Sequence, residues 1–332
     1  MPENQEVASF FSTAMRRAVA EARLWLGATS PNPAVGAAAL DAAGNILAVT
    51  AHHRAGSDHA EAALLKLCRE QNLLPRVATI CVTLEPCNHH GRTPPCSEAI
   101  IAAGIRRVAI GARDPNPHVA GGGCEWLRAA GIEVIENVES DLCQKLIHPF
   151  AFHARTGLPF VTVKRAFDVS GSMIPPVGQK TFTSDASLVL AHRLRKKADA
   201  IIAGSGTIIA DNPLFDVRHV KDHDGKRRVL AILDRRGRVS KEYLTAATTR
   251  GFDVAVYDDF DSCVKQLGNR GIKDVLVESG PILLGFALDS PYWTMRVDIH
   301  AGMPDRIETA FNPAAELPFD TNNSDLESLL PL

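Results

Sequence analysis

Thr83-Leu84-Glu85-Pro86-Cys87-Asn88-His89-His90-Gly91-Arg92-Thr93-Pro94-Pro95-Cys96 decides how the first half of the chain is read. The run that leads into it, Ala78 to Leu84, is apolar and β-branched and predicts a strand, and Ser97 to Ala103 carries helical spacing. A cysteine therefore stands at each end of a loop joining a strand to a helix. Upstream, His59-Ala60-Glu61 opens another predicted helix, Asp58 to Glu70. One histidine and two cysteines, His59, Cys87 and Cys96, are a ligand set for catalytic zinc, which takes three protein donors and leaves a fourth position for water, whose pKa it lowers to near neutrality. In zinc deaminases a glutamate two residues after the histidine stays off the metal and relays the proton. Glu61 has that spacing.

Plainer readings exist for each piece. Asp58-x-x-Glu61 also fits a helix capping box, and a buried cysteine is usually a small hydrophobe. The Cys87 to Cys96 spacing is longer than the Pro-Cys-x-x-Cys of the general deaminase signature. It is the order His-x-Glu, strand, Pro-Cys, Cys that chance does not readily assemble. A structural zinc closed by a fourth protein ligand, His89 or His90, is the non-enzymatic alternative.

Working outward, Phe11, Met15, Ala18, Ala22 and Trp25 recur at helical spacing and predict a helix from Gln5 to Leu26 that stops at Gly27. Val35 to Leu40 and Ile46 to Thr50 read as a hairpin across Asp41–Asn45. Strands at Arg107 to Gly111 and Ile132 to Glu136 alternate with a helix at Gly122 to Ala130, which implies a sheet with crossover helices. His148 to Pro159 shows no sustained period and marks a domain junction, giving domains at 1–150 and 158–332. Beyond it, strand-like runs at Phe160 to Lys164, Ala200 to Ala203, Arg228 to Leu233, Asp253 to Tyr257 and Asp274 to Val277 are separated by helices at Ser184 to Lys197 and Ser262 to Arg270. The last dozen residues are polar and expected to be loose.

The 332 residues suffice for two cores, and a formal charge of −2 with 6% aromatic residues argues against a nucleic-acid groove lined by stacking rings. A base editor acting on nucleic acid is disfavoured accordingly. No signal-peptide pattern and no membrane span is read, and seven scattered cysteines suit a reducing compartment, so a cytoplasmic protein is expected.

Pro31-Asn-Pro-Ala-Val-Gly36, His59-Ala-Glu61, Thr83 to Cys96 and Asp114-Pro-Asn-Pro-His-Val-Ala-Gly121 together resemble the bifunctional riboflavin-biosynthesis deaminase/reductase family, RibD, in which the long Cys87–Cys96 loop is a specific feature. The resemblance continues through Thr156 to Lys164, Ala200 to Pro213 and Val275 to Pro281. It implies an α/β protein with an N-terminal cytidine-deaminase-like three-layer domain and a C-terminal dihydrofolate-reductase-like domain. Zinc and NADPH would be the cofactors, a phosphorylated pyrimidine the substrate, and a homo-oligomer the expected assembly. Asn32, His52, His89 and Arg92 are implied for the deaminase substrate, an amide being suited to a pyrimidine edge and a guanidinium to phosphate. Lys164, Arg195, Asp211, Arg218 and Glu278 are implied for the reductase substrate, and Thr183, Gly204, Thr207, Asn212, Ser279 and Gly280 for the cofactor, whose phosphates glycine turns would let the backbone approach.

The second half departs from the family pattern. Lys164-Arg-Ala-Phe-Asp-Val-Ser-Gly171 exchanges Ser and Asp about Val169, Thr181-Phe-Thr183 replaces Trp-Ile-Thr, and Glu278-Ser-Gly280 replaces Glu-Gly-Gly. After Arg296 to His300 the ending is short, with no obvious final helix and strand. A deaminase whose second domain is a degenerate binding or dimerisation module is the alternative these changes raise.

Overall fold

The computed structural model describes all residues except 1, 90–94, 117–121, 176–177, 179–180, 320–328 and 332, and the side chains of 2–8. Arg92, the end of the Asp114–Gly121 motif and most of the polar tail therefore lie outside the described residues. The chain forms two compact units whose main segments are Met1–Arg155 and Thr156–Leu317. No described helix is long and apolar enough to cross a membrane.

In the first unit the elements run α1 (Pro2–Arg23), β1 (Gly36–Leu40), β2 (Ile46–Ala51), α2 (Ala60–Glu70), β3 (Thr79–Leu84), α3 (Cys96–Ala102), β4 (Arg107–Ala112), α4 (Gly122–Ala129), β5 (Glu133–Ile135), α5 (Ser140–Leu146) and α6 (His148–Thr156). The sheet order is β2-β1-β3-β4-β5, with β1 antiparallel to both neighbours and β3, β4 and β5 parallel. Strand alternation sorts the core into two layers. Ala38, Leu40, Cys81 and Ala109 face Phe11, Met15, Ala18 and Ala22 of α1, with Cys143 and Leu146 of α5. Ala37, Ala39, Ile80, Val82, Val108 and Ile110 face Leu64, Leu65, Ile100 and Leu127 of α2, α3 and α4. The result is the three-layer arrangement that the sequence implied.

Two expectations shift. Helix α1 ends at Arg23, not at Gly27: Leu24, Trp25 and Leu26 donate to Glu21, Ala22 and Arg23, three residues back, and this tighter turn runs out at Gly27, whose φ is 83°. The stretch read as an aperiodic junction is helical from His148 to Thr156. Pro149 falls in the first turn, where its missing N–H costs nothing, and Ala151 and Phe152 are buried.

The second unit contains β6 (Phe160–Phe167), α7 (Asp185–Lys197), β7 (Ala200–Gly204), α8 (Ser205–Asp211), β8 (Val229–Leu233), α9 (Lys241–Thr249), β9 (Asp253–Tyr257), α10 (Phe260–Asn269), β10 (Asp274–Val277), α11 (Pro281–Asp289), β11 (Met295–His300) and β12 (Arg306–Phe311). Its sheet runs β12-β11-β6-β10-β7-β8-β9, all parallel except the β11–β12 pair. Val161, Ala200, Val229 and Val275 pack on Val264, Leu267 and Leu284, while Ile201, Leu230 and Ile232 pack on Ile208, Tyr243 and Ala247. The short ending does supply a final strand, contrary to expectation. β12 reads poorly as sequence because Arg306, Glu308 and Thr309 interrupt its apolar residues, which suits an edge strand.

Gly36 opens β1 directly under α1, and a Cβ at this position would overlap the Ala18 carbonyl. Gly36→Ala is expected to lower the unfolding free energy by about 1–3 kcal/mol, the usual cost of overpacking, measured by urea denaturation.

Candidate active sites

Three donor atoms meet beyond the carboxyl end of β3. His59 precedes α2 as its N-cap residue without a side-chain capping bond, so the capping-box reading does not hold and the ring is left to face the loop. Its Nδ1 lies 3.6 Å from Cys87 Sγ and 3.5 Å from Cys96 Sγ. The Cys96 N–H donates to Cys87 Sγ at 3.4 Å, and Ser97 N–H donates to the Cys87 carbonyl at 3.2 Å, which ties the start of α3 to the end of the strand.

The donor set fits zinc. Tetrahedral coordination with ordinary Zn–N and Zn–S lengths separates nitrogen from sulfur by about 3.5–3.6 Å. The Cys96 thiol and, behind it, His59 bring Cys87 down to about 4 against its burial, and Cys96 is pushed up. Glu61 is 3% exposed, and burial pushes its carboxyl up to about 7, where it can both take and give a proton.

Two expected substrate residues join this centre. His52 follows β2; its Nδ1–H donates to the Asp58 carbonyl at 2.9 Å, which leaves Nε2 to accept from the Asn32 amide at 3.4 Å. The His52 and His59 rings meet edge to face, 5.4 Å between centroids, and burial keeps His52 toward its neutral form. His89 is exposed two residues beyond Cys87.

Sequence reading passed over Glu85. It directly follows β3, is 4% exposed, and its N–H extends the ladder to Ala112. One carboxylate oxygen accepts from Gly123 N–H and Cys124 N–H, both at 3.1 Å, and the other from Asp114 N–H at 3.2 Å. Gly123 is needed because a Cβ there would overlap the Pro86 carbonyl. The signal in the sequence was a carboxylate between an apolar strand and Pro86, where no solvent-facing position was due.

In the second unit a carboxylate again follows a strand. Glu278, one residue past β10, accepts from Lys164 Nζ at 3.0 Å and from Arg195 Nε and Nη2 at 2.6 and 2.8 Å. Burial would raise Glu278, but Arg195 and Lys164 hold it well below the carboxylate range. Arg218 is exposed and pairs with Asp216, whose carbonyl accepts from Arg195 Nη1 at 3.1 Å. Asp211 ends α8 in an exposed position without a hydrogen bond to this cluster among the described residues, and Asn212 follows as a left-handed cap at φ 43°. Thr183 stands one residue before the Ser184 N-cap of α7 and is not joined to the glycine turns.

Those turns lie at the carboxyl ends of the neighbouring strands β7 and β10, each opening a helix, the usual place for a ligand in a parallel sheet. Ser279 Oγ accepts from Gly204 N–H at 3.0 Å and lies 2.9 Å from Thr207 Oγ1, which accepts from Gly280 N–H at 2.8 Å. Two N–H groups expected to face a cofactor are thus held by hydroxyls. Gly206 has open space where a Cβ would stand, which leaves its backbone open to close approach by a phosphate group. The exchanged Asp168 and Ser170 bond each other and close the turn after β6.

A second His/acid group, Asp298, His300 and Glu308, spans β11 and β12. Arg165 and Arg296 already occupy the Asp298 carboxylate, so it is an ion-pair cluster, ill suited to a cation.

Comparison with known proteins places each half of the chain in a family. Residues 9–112 match the family described as the cytidine and deoxycytidylate deaminase zinc-binding region, and residues 159–290 match the RibD C-terminal domain. Fold and sites define a two-domain enzyme, a zinc deaminase followed by an NADPH-using reductase. The chain is 35% identical over 305 residues to the riboflavin biosynthesis protein RibD of Actinobacillus pleuropneumoniae, covering 83% of this chain and 79% of that protein. Among solved structures, the diaminohydroxyphosphoribosylaminopyrimidine deaminase/5-amino-6-(5-phosphoribosylamino)uracil reductase of Thermotoga maritima superposes with a TM-score of 0.78 at 33% identity, over 88% of this chain and 87% of that one. Acinetobacter baumannii RibD gives 0.75 at 30% identity, over 94% and 91%. The chain belongs to the RibD family of riboflavin biosynthesis.

Replacing Glu85 by Ala strands three buried N–H groups beside Cys87 and is expected to weaken zinc binding about 10–100-fold, with Gln falling between Ala and the natural residue, as chelator competition measures. For Glu278 the depressed pKa fixes the sign. Its stabilisation is full above the ordinary value of 4.5, declines below it, and is gone once pH passes below the folded-state value. The stability gap between the natural chain and Glu278→Gln should therefore be level from neutral pH down to about 4.5 and close in stronger acid, followed by denaturant midpoints across pH.

Proposed function

We propose that the chain deaminates 2,5-diamino-6-(ribosylamino)-4(3H)-pyrimidinone 5′-phosphate and then reduces its ribosyl chain to ribityl, in the cytoplasm and as a homo-oligomer. The observation that carries this reading is the meeting of His59, Cys87 and Cys96 at zinc-ligand spacing. Buried Glu61 lies two residues along α2 from His59. Zinc held by these three residues lowers the pKa of a bound water and so makes a nucleophile available near neutral pH.

Glu61 carries a proton from that water to the ring amino group. The water oxygen bonds to the amino-bearing ring carbon, the C–N bond breaks, ammonia leaves with a proton from the water, and a carbonyl remains. Asn32 offers both donor and acceptor to the pyrimidine edge, and His52, fixed by the Asp58 carbonyl, holds the amide. His89 and Arg92 serve the pyrimidine or phosphate end, as the family resemblance implies.

In the second domain bound NADPH would supply the hydride for reduction at C1′ of the opened ribose. Thr183, Gly204, Thr207, Asn212, Ser279 and Gly280 hold the cofactor. Lys164, Arg195 and Arg218 line the phosphate and reacting carbon, Asp211 and Glu278 bind ribose hydroxyls or steer a proton, and Glu278 also keeps Lys164 and Arg195 in place through its two carboxylate oxygens.

The test follows ammonia release and NADPH absorbance together on zinc-loaded protein under anaerobic conditions. Glu61→Gln should lower ammonia release by at least about a hundredfold while zinc content and NADPH oxidation on the already deaminated substrate persist. Ammonia release that survives the substitution would remove Glu61 from the proton path.

A further inference from the structure

His192 lies on α7, three residues before Arg195, and is 2% exposed. Its Nδ1 receives the backbone N–H of Arg218 at 3.1 Å. A backbone N–H can only donate, so Nδ1 carries the lone pair and the ring proton sits on Nε2. Burial, with Arg195, His219 and Arg218 nearby, pushes the ring down to about 4, so this neutral tautomer persists across the working range of pH.

Nε2–H then faces Arg195 Nη1 at 3.5 Å. Both groups are donors and cannot satisfy each other. Arg195 has spent Nε and Nη2 on Glu278 and one Nη1–H on the Asp216 carbonyl, which leaves a second Nη1–H beside the imidazole. Two buried donors at this separation are both satisfied by one shared acceptor. The charges say which kind: Lys164, Arg195 and Arg218 outnumber Glu278 and Asp216 by one, favouring an anionic oxygen.

We propose that His192 is a further substrate-binding residue of the reductase site, its Nε2–H and the free Nη1–H of Arg195 converging on one oxygen of the substrate's phosphate. This rests on the reading of Arg195 and Arg218 as the phosphate end of that site.

Two amides separate the roles of the ring nitrogens. His192→Asn keeps an acceptor where Nδ1 stands but offers nothing at Nε2, whereas His192→Gln reaches the Nε2 position with an amide N–H. Steady-state reduction of the deaminated, phosphorylated substrate is measured for both in the full zinc-loaded chain, with inorganic phosphate as a competing probe. Asn is expected to raise KM and the phosphate inhibition constant about tenfold or more with a smaller effect on kcat, and Gln to restore both. Asn matching the natural chain while Gln fails would make His192 a support for the Arg218 backbone alone and overturn the proposal. So would KM unchanged in both, the mark of a shared water. Arg218→Gln is measured alongside: KM unmoved there sinks the phosphate reading itself, whereas KM raised there but not by His192→Asn sinks only the role of His192.

Discussion

Each unit is organised by a buried carboxylate set one residue beyond a central parallel strand. Glu85 follows β3 and gathers three backbone N–H groups from the loop after β4 and the start of α4. Glu278 follows β10 and gathers two cationic side chains from β6 and α7. A charge buried at the end of a strand is costly unless every lone pair is used, so the surrounding chain is held to the geometry that uses them. Glu85 thus fixes the backbone two residues before Cys87, and Glu278 fixes Lys164 and Arg195.

The two solutions differ in what the carboxylate holds. Glu85 fixes backbone, and through Pro86 and Gly123 it sets the path of the chain into Cys87. Glu278 fixes side chains and spends part of their hydrogen-bonding capacity in doing so. Arg195, implied by the family resemblance for the reductase substrate, has Nε and Nη2 turned to Glu278. The same economy appears at the glycine turns, where Ser279 and Thr207 take the N–H groups of Gly204 and Gly280. Ser279 here does work that a second glycine would leave undone, and the departure from Glu-Gly-Gly becomes a stitch between β7 and β10.

Much of this was legible in the residues. Strands β1 to β10 were readable as apolar or β-branched runs, though β11 and β12 were not, and the metal centre was readable because its chemistry demands few residue types in a fixed order. What escaped reading was set by tertiary contact. Helix α6 was hidden by Pro149 and by its brevity, α5 by its acidic and polar residues, and β12 by charges that an edge strand tolerates. Glu85 and His192 escaped because the backbone N–H groups they receive, from Asp114 and Arg218, lie 29 and 26 residues away in sequence and come into reach only in the folded unit.

Strand β1, Gly36-Ala-Ala-Ala-Leu40, is buried along its whole length and carries little side-chain volume before Leu40. It acts as a shim between α1 and α2, and the thickness of that layer is set by the helices' residues rather than by its own. Enlarging any of its alanines would have to be matched by trimming on the helix it faces, Met15 and Ala18 on one side or Leu64 and Leu65 on the other. Drift in this strand is thereby coupled to drift in α1 and α2, so the His59–Glu61 end of α2 can keep its distance from the sheet only while the three segments vary together.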